Sequence, residues 1–171
     1  GVVCAEHVGT PRTWSPDEVG FMAGLSDQMT QVLINAERRK AEAALRTSEA
    51  RYRTLFDCAN DAIFIMRQDS FIDCNAQTMR IFACERDQIV GQPPYRYSPK
   101  EQPDGRSSIE KAKEKIAAAL SGQAQFFEWV HSRYDGSTFP AEVSLNRMDI
   151  GDETFILAIV RDVTERKQAE E

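Results

Sequence analysis

From Pro16 onward the apolar positions fall at helical spacing. Met22, Leu25, Met29, Val32 and Ala36 are separated by 3, 4, 3 and 4 residues, which is a heptad seam. The run opens at Ser15-Pro16-Asp17-Glu18. There Ser15 can accept from orphan backbone N–H groups, Pro16 suits the first helical position, and Glu18 completes a capping box. No proline follows until Pro93, and no glycine lies between Gly24 and Gly91. Beyond Ala36 the seam weakens. Ala43 and Ala50 keep the register, but Arg39, Arg46 and Arg53 take the alternate positions, while Leu45, Tyr52 and Leu55 form a different stripe. A continuous helix over 16–50 would be ~50 Å long, more than a small domain needs. It reads either as a surface helix on its own domain or as a parallel coiled coil, with Met22, Leu25, Met29 and Val32 at the seam of a homodimer. Ahead of it, residues 1–9 alternate loosely and are rich in Val, as a strand does.

Past residue 60 the period shortens. Residues 62–66 and 71–74 read as two short strands around a turn at Asp69-Ser70, and Asn75 can cap a short helix carrying Met79, Ile81 and Phe82. A second helical piece over 85–90 ends at Gly91, and residues 92–105, with four prolines, form an irregular loop. Ser107-Ser108-Ile109-Glu110 is a further capping box, opening a helix to Leu120 that Gly122 ends. Three strands follow. Asp135-Gly136 signals a two-residue hairpin. That turn sets Val130 opposite Ala141, Glu128 opposite Val143 and Phe126 opposite Leu145. One face then carries Phe126, Glu128, Val130 and Ser132 with Phe139, Ala141, Val143 and Leu145. The mixed face carries Phe127, Trp129 and His131. The last strand, 155–160, is apolar on both faces, which places it centrally in a sheet covered on both sides.

Composition changes this picture little. The 171 residues, 42% hydrophobic, suit one domain with helical extensions. The net charge is -6 and the 21 Lys and Arg are dispersed, so no nucleic-acid footprint is present. No apolar run approaches the ~20 residues that span a bilayer, and no membrane contact is expected. The chain opens inside a strand-like run, as a segment of a longer protein would. Cys4, Cys58, Cys74 and Cys84 form no C-x-x-C pair and no zinc spacing, so no metal site is expected. They read as reduced, partly buried thiols of a cytoplasmic protein.

The ordered set of motifs resembles a PAS sensory domain. The matching pieces are residues 48–56, Asp61-Ala62-Ile63-Phe64, Asp73-Cys74-Asn75, Phe127-Glu128-Trp129 with Asp135-Gly136, and the closing Asp162-Val163-Thr164. Residues 1–40, above all Arg12-Thr13-Trp14-Ser15-Pro16-Asp17-Glu18, resemble the last strand and helix of a GAF domain. The resemblance implies an α+β fold: a five-stranded antiparallel sheet with short helices on one face, a long N-terminal coiled-coil helix and the start of an exit helix. It divides the chain into a GAF remnant (1–40), a helical linker (41–56), the PAS domain (57–163) and an output helix (164–171). The implied protein is a bacterial, multidomain signalling protein of the two-component kind. Its C-terminal output domain, a histidine kinase or diguanylate cyclase, lies outside this chain, which is itself regulatory and no enzyme.

No catalytic constellation stands out. His7 sits in the orphan strand and His131 on the mixed face, where an isolated His is most often a solvated or packing residue. Haem is disfavoured because residues 75–121 hold no His. Flavin is disfavoured because residues 93–98 lack the family's Asn-Cys-Arg run. An unidentified small organic ligand remains. Phe64, Met66, Met79, Ile116, Leu120, Glu128, Val130, Val143, Ala158 and Val160 would line its pocket or simply fill a core. Glu128, if inward, needs a water, an Arg or a cationic ligand group. Asp162 and Thr164 are the family's usual coupling residues. They would tie the last strand to the outgoing helix, whether the module senses a ligand or serves as a ligand-free dimerisation and relay element.

Overall fold

The computed structural model describes Cys4 and residues 6–170. The chain divides into two compact units, Gly1–Tyr52 and Arg53–Glu171. In the first, helix α1 (Pro16–Asp57) begins and runs unbroken for 42 residues. Its start is the expected capping box: the Ser15 backbone N–H donates to Glu18 at 2.8 Å and the Glu18 N–H to Ser15 Oγ at 3.3 Å. The heptad-spaced run therefore does form one long helix, with Pro16, Gly20 and Gly24 confined to its first three turns. Of the strand expected over 1–9, residues 1–3 and 5 lie outside the described residues, and Cys4 and residues 6–9 carry no strand.

The second unit holds the last turn of α1 and then β1 (Ala62–Arg67), β2 (Ser70–Cys74), α2 (Ala76–Phe82), α3 (Arg86–Ile89) and a 3-10 turn (Pro94–Tyr97). After these come α4 (Ser108–Leu120), β3 (Gln125–Ser132), β4 (Thr138–Ile150), β5 (Glu153–Asp162) and α5 (Thr164–Glu170). The five strands make one antiparallel sheet in the order β2-β1-β5-β4-β3. The two-faced apolar strand is thus the central one. Ile156, Ala158 and Val160 point into the core, while Phe155 is also buried on the opposite face, with Leu157 and Ile159 half-buried. Across the inner face Ala62, Val160, Val143 and Phe127 fall in one row, and Phe64, Ala158 and Leu145 in the next.

The hairpin corrects the expected register. Glu128 faces Glu142, Val130 faces Pro140, and Trp129 faces Ala141. The Arg133 N–H donates to Ser137 O at 2.7 Å and the Gly136 N–H to Arg133 O at 3.0 Å, with Gly136 at φ +88°. The loop is therefore three residues, 134–136, with glycine in the left-handed position, not two. One added residue slips β3 by one, and a slip of one exchanges its faces. Phe127, Trp129 and His131 turn inward, while Phe126, Glu128 and Val130 turn outward.

A second correction is at α4. The helix starts where expected, but the Ser107 side chain makes no capping hydrogen bond. Among the described residues no helix is long and apolar enough to cross a membrane.

Candidate ligand cavity and junctions

The inner face of the sheet, α4 and the loop that precedes it line a partly open cavity of about 50 Å³. Of the residues singled out from sequence, Phe64, Met66, Ile116, Val143, Ala158 and Val160 line it. Phe71, Phe127, Trp129, His131 and Leu145 join them. Four candidates lie elsewhere. Glu128 and Val130 are on the outer face because of the register slip, and Glu128 is paired with Lys167 at 2.9 Å. Hydrogen bonding to the Lys167 ammonium holds its carboxyl below the usual range. On α2 it is Thr78 and Phe82 that are buried, one turn apart. Met79, a step of roughly 100° around the helix, lines a surface groove with Arg80 and Cys84 instead. Leu120 packs against the core at the end of α4 without reaching the cavity.

The loop wall is pinned to β3 at three points. Trp129 Nε1 donates to Ser98 Oγ at 2.9 Å. The Gln102 side chain accepts from the Val130 N–H at 2.8 Å and donates to the Val130 carbonyl at 3.1 Å, so one buried side chain satisfies the backbone of an edge strand. His131 Nδ1 lies 3.0 Å from the Tyr97 carbonyl. A carbonyl only accepts, so Nδ1 carries the proton and Nε2 of the neutral ring is a bare acceptor. Nε2 is buried and is the one side-chain nitrogen or oxygen without a partner among the buried atoms of the described residues. The ring packs on Phe139, Phe82 and Trp129. Burial pushes the imidazole down to about 4, against an opposing pull from the Tyr97 bond. His131 is thus a buried, neutral member of the cavity wall, the packing one of the two roles expected of it, although the expected register had put it on the other face. Its strand position was legible, but the loop length that turned it inward was not.

Two side-chain clusters mark where the sheet meets its flanking helices. At the N-terminal junction Asn75, wholly buried, accepts from the N–H groups of Ile63 and Thr78 and the Thr78 hydroxyl, and donates to the carbonyls of Phe56 and Asp61. Asp57 then caps α2 through the Ala76 N–H at 3.0 Å. At the C-terminal junction Asp162 accepts from the Thr164 N–H at 2.9 Å and from its hydroxyl, and pairs with Arg133 at 3.0 Å. Arg133 also donates to the Ile81 carbonyl at the end of α2 and lies over the Phe139 ring. Sequence had pointed to Asp162 and Thr164 together, and the structure joins them. Burial pushes the Asp162 carboxyl up, but the bonds from Thr164 and Arg133 outweigh it and hold it below the usual range.

The family model for the PAS domain matches residues 60–165. The chain belongs to the PAS domain family. The PAS domain of an HTR-like protein from Haloarcula marismortui superposes with a TM-score of 0.63 at 22% identity, covering 72% of this chain and 98% of that one. A methyl sulfide methyltransferase-associated sensor of Methanosarcina acetivorans is 32% identical over 139 residues, 80% of this chain and 13% of that protein. A methanogenesis regulatory histidine kinase of Methanothrix harundinacea is 31% identical over 151 residues, 86% of this chain and 16% of that protein. The chain therefore spans a small part of the sensors and kinases it resembles, and this PAS module is a sensory, signal-transducing part.

Proposed function

We propose that this is a cytoplasmic PAS module that senses a small ligand in the sheet cavity and relays the signal to an output domain of the same protein. The relay runs through Asp162, Thr164 and the helix they start. The observation that carries the reading is the cavity on the inner face of the sheet, with room for a small molecule among almost wholly apolar side chains. All four cysteines are free, which suits a reducing compartment. A histidine kinase is the output domain best supported by the Methanothrix relative, and residues 12–18 support a GAF-type input domain whose last strand and helix are residues 1–40.

The test is to fill the cavity in the full-length protein. Ala158→Val adds two methyl groups to its wall. Output should stop responding to the stimulus while the module still melts cooperatively. A normal response in the filled variant would sink the sensing reading.

A second reading, a ligand-free dimerisation and relay module, is favoured by α1. Its seam residues Leu25, Met29 and Val32 are 37%, 49% and 66% exposed in the single chain. A second copy packed along them in parallel would cover this heptad seam. Sedimentation showing a monomer at high micromolar concentration would refute it.

A further inference from the structure

We propose that Arg161 is a partner-exchange switch between the two ends of the domain: bound to Asp61 it leaves α5 docked on the sheet, and bound to Glu142 it releases α5. The inference rests on the relay half of the proposed function, a signal that leaves through α5, and makes no use of the cavity. Its basis is a row of charges on the outer face. Arg161 and Glu142 are paired across β5 and β4, and Glu142 and Glu128 across β4 and β3. Asp61 stands just before Ala62, which pairs with Val160, so it begins the same row.

Like charges directly opposite one another across a sheet repel. Glu128 and Glu142 are such a pair, and α5 supplies the cations that relieve them. Arg166 meets Glu142 at 2.7 Å and Lys167 meets Glu128 at 2.9 Å. Arg161 is opposite Glu142 but turns the other way. Its Nε lies 3.2 Å from both Asp61 carboxylate oxygens, and its Nη2 lies 2.9 Å from one of them. Hydrogen bonding to Asp61 is the main cause that raises the Arg161 guanidinium above its ordinary value, and the charge of Glu142 adds to it. Arg161 therefore stands between two carboxylates, and Glu142 between two cations. A second guanidinium on Glu142 would repel the first, so Arg161 and Arg166 compete for it. Both arrangements leave Glu142 partnered, but only one keeps Arg166, and with it α5, on the sheet. Asp61 also belongs to the entry side. Asn75 Nδ2 donates at 3.0 Å both to its carbonyl and to that of Phe56 in the last turn of α1. The switch thus joins the end of α1 to the exit helix.

The test is made in the 171-residue chain, with nuclear magnetic resonance of the amide and Cα groups of residues 165–169 reporting whether α5 is docked. Asp61→Asn keeps the shape of the side chain and removes its charge. It should raise the ratio of released to docked α5 by up to about fivefold, the scale of one exposed ion pair. Arg161→Gln removes the competitor and should leave α5 docked. The double variant should return α5 to its wild-type state, which a strap that merely held the strands together would not do. An α5 unmoved by Asp61→Asn, an Arg161→Gln variant as loosened as Asp61→Asn, or release that persists in the double variant would each overturn the inference, leaving the relay through Asp162 and Thr164 standing. If α5 responds as expected but Asp61→Asn leaves the output of the full-length protein regulated as before, the exchange stands and the relay reading falls. Should Asp61→Asn fail to fold, Asp61→Ser takes its place.

Discussion

The two junctions of this PAS module solve the same problem, joining a sheet to a helix, with different materials. The N-terminal one is organised around Asn75, whose five hydrogen bonds reach four segments of chain and exclude water. The C-terminal one is organised around Asp162 and Arg133, each with its side chain 24% exposed. A buried, fully satisfied amide has no second arrangement of similar free energy, because any departure leaves donors or acceptors bare. A partly exposed ion pair exchanges protein partners for water at less cost than a buried amide does. The first junction therefore behaves as a fixed joint. The second is the weaker joint of the two, which is what the proposed relay requires. Arg133 extends its reach, since the same guanidinium touches the end of α2, the hairpin and the exit motif.

The largest effect that could break this contrast is at the fixed joint. Asn75→Ala should cost about 3 kcal/mol, because it strips partners from several buried backbone groups at once. Urea unfolding measures it, and a loss below about 1 kcal/mol would show that the joint is not what holds the last turn of α1 to the core.

Acid separates the cavity from the exit motif. His131 titrates near 4 when folded against 6.5 in the unfolded chain. Its folded value is depressed, so the unfolded state binds the proton first. The stability it supports is complete above pH 6.5 and is lost as the pH falls toward 4, by about 3 kcal/mol. Asp162 is also depressed, from 3.8, so its contribution is present above the ordinary carboxylate value and disappears only at still lower pH. A stability profile that stays flat between pH 6.5 and 4, or an acid slope there that His131→Phe does not remove, would contradict the buried neutral imidazole.

Asp162→Ala and Thr164→Ala should each cost only about 1 kcal/mol, the size of a lost helix cap, small against a domain stability of roughly 5–15 kcal/mol. In the full-length protein the output should nevertheless become constitutive or fall silent. If melting and regulated output both stay normal, the motif is only a cap and the signal crosses elsewhere.

The smallest effect is expected on the outer face, where Arg166 meets Glu142 at 2.7 Å and Lys167 meets Glu128 at 2.9 Å. Lys167→Gln should leave the melting temperature unchanged in physiological salt and matter only at low ionic strength. A salt-independent shift would mean that α5 is held more firmly than the contrast between the junctions allows.

Local pattern was enough for the elements. The capping box at Ser15 and Glu18, the absence of proline after Pro16 and of glycine after Gly24, and the heptad spacing determined a single long α1. The two-faced apolar run of 155–160 determined the central strand, because a strand with no polar face has nowhere else to go. Asp162 and Thr164 were legible because they lie two residues apart and act on each other. Only the tertiary structure decided which residues share the cavity. The turn after β3 has one residue more than Asp135-Gly136 suggested, and since a strand alternates every residue, that single step exchanged Glu128 and Val130 for Trp129 and His131. Thr78 and Phe82, not Met79, meet the core for a similar reason: α2 spans under two turns, too few for its buried face to be read from periodicity. The partners of Asn75 and Arg133 lie far along the chain, at Phe56 and Ile81 among others, and no local spacing encodes a contact that forms only once the sheet has closed.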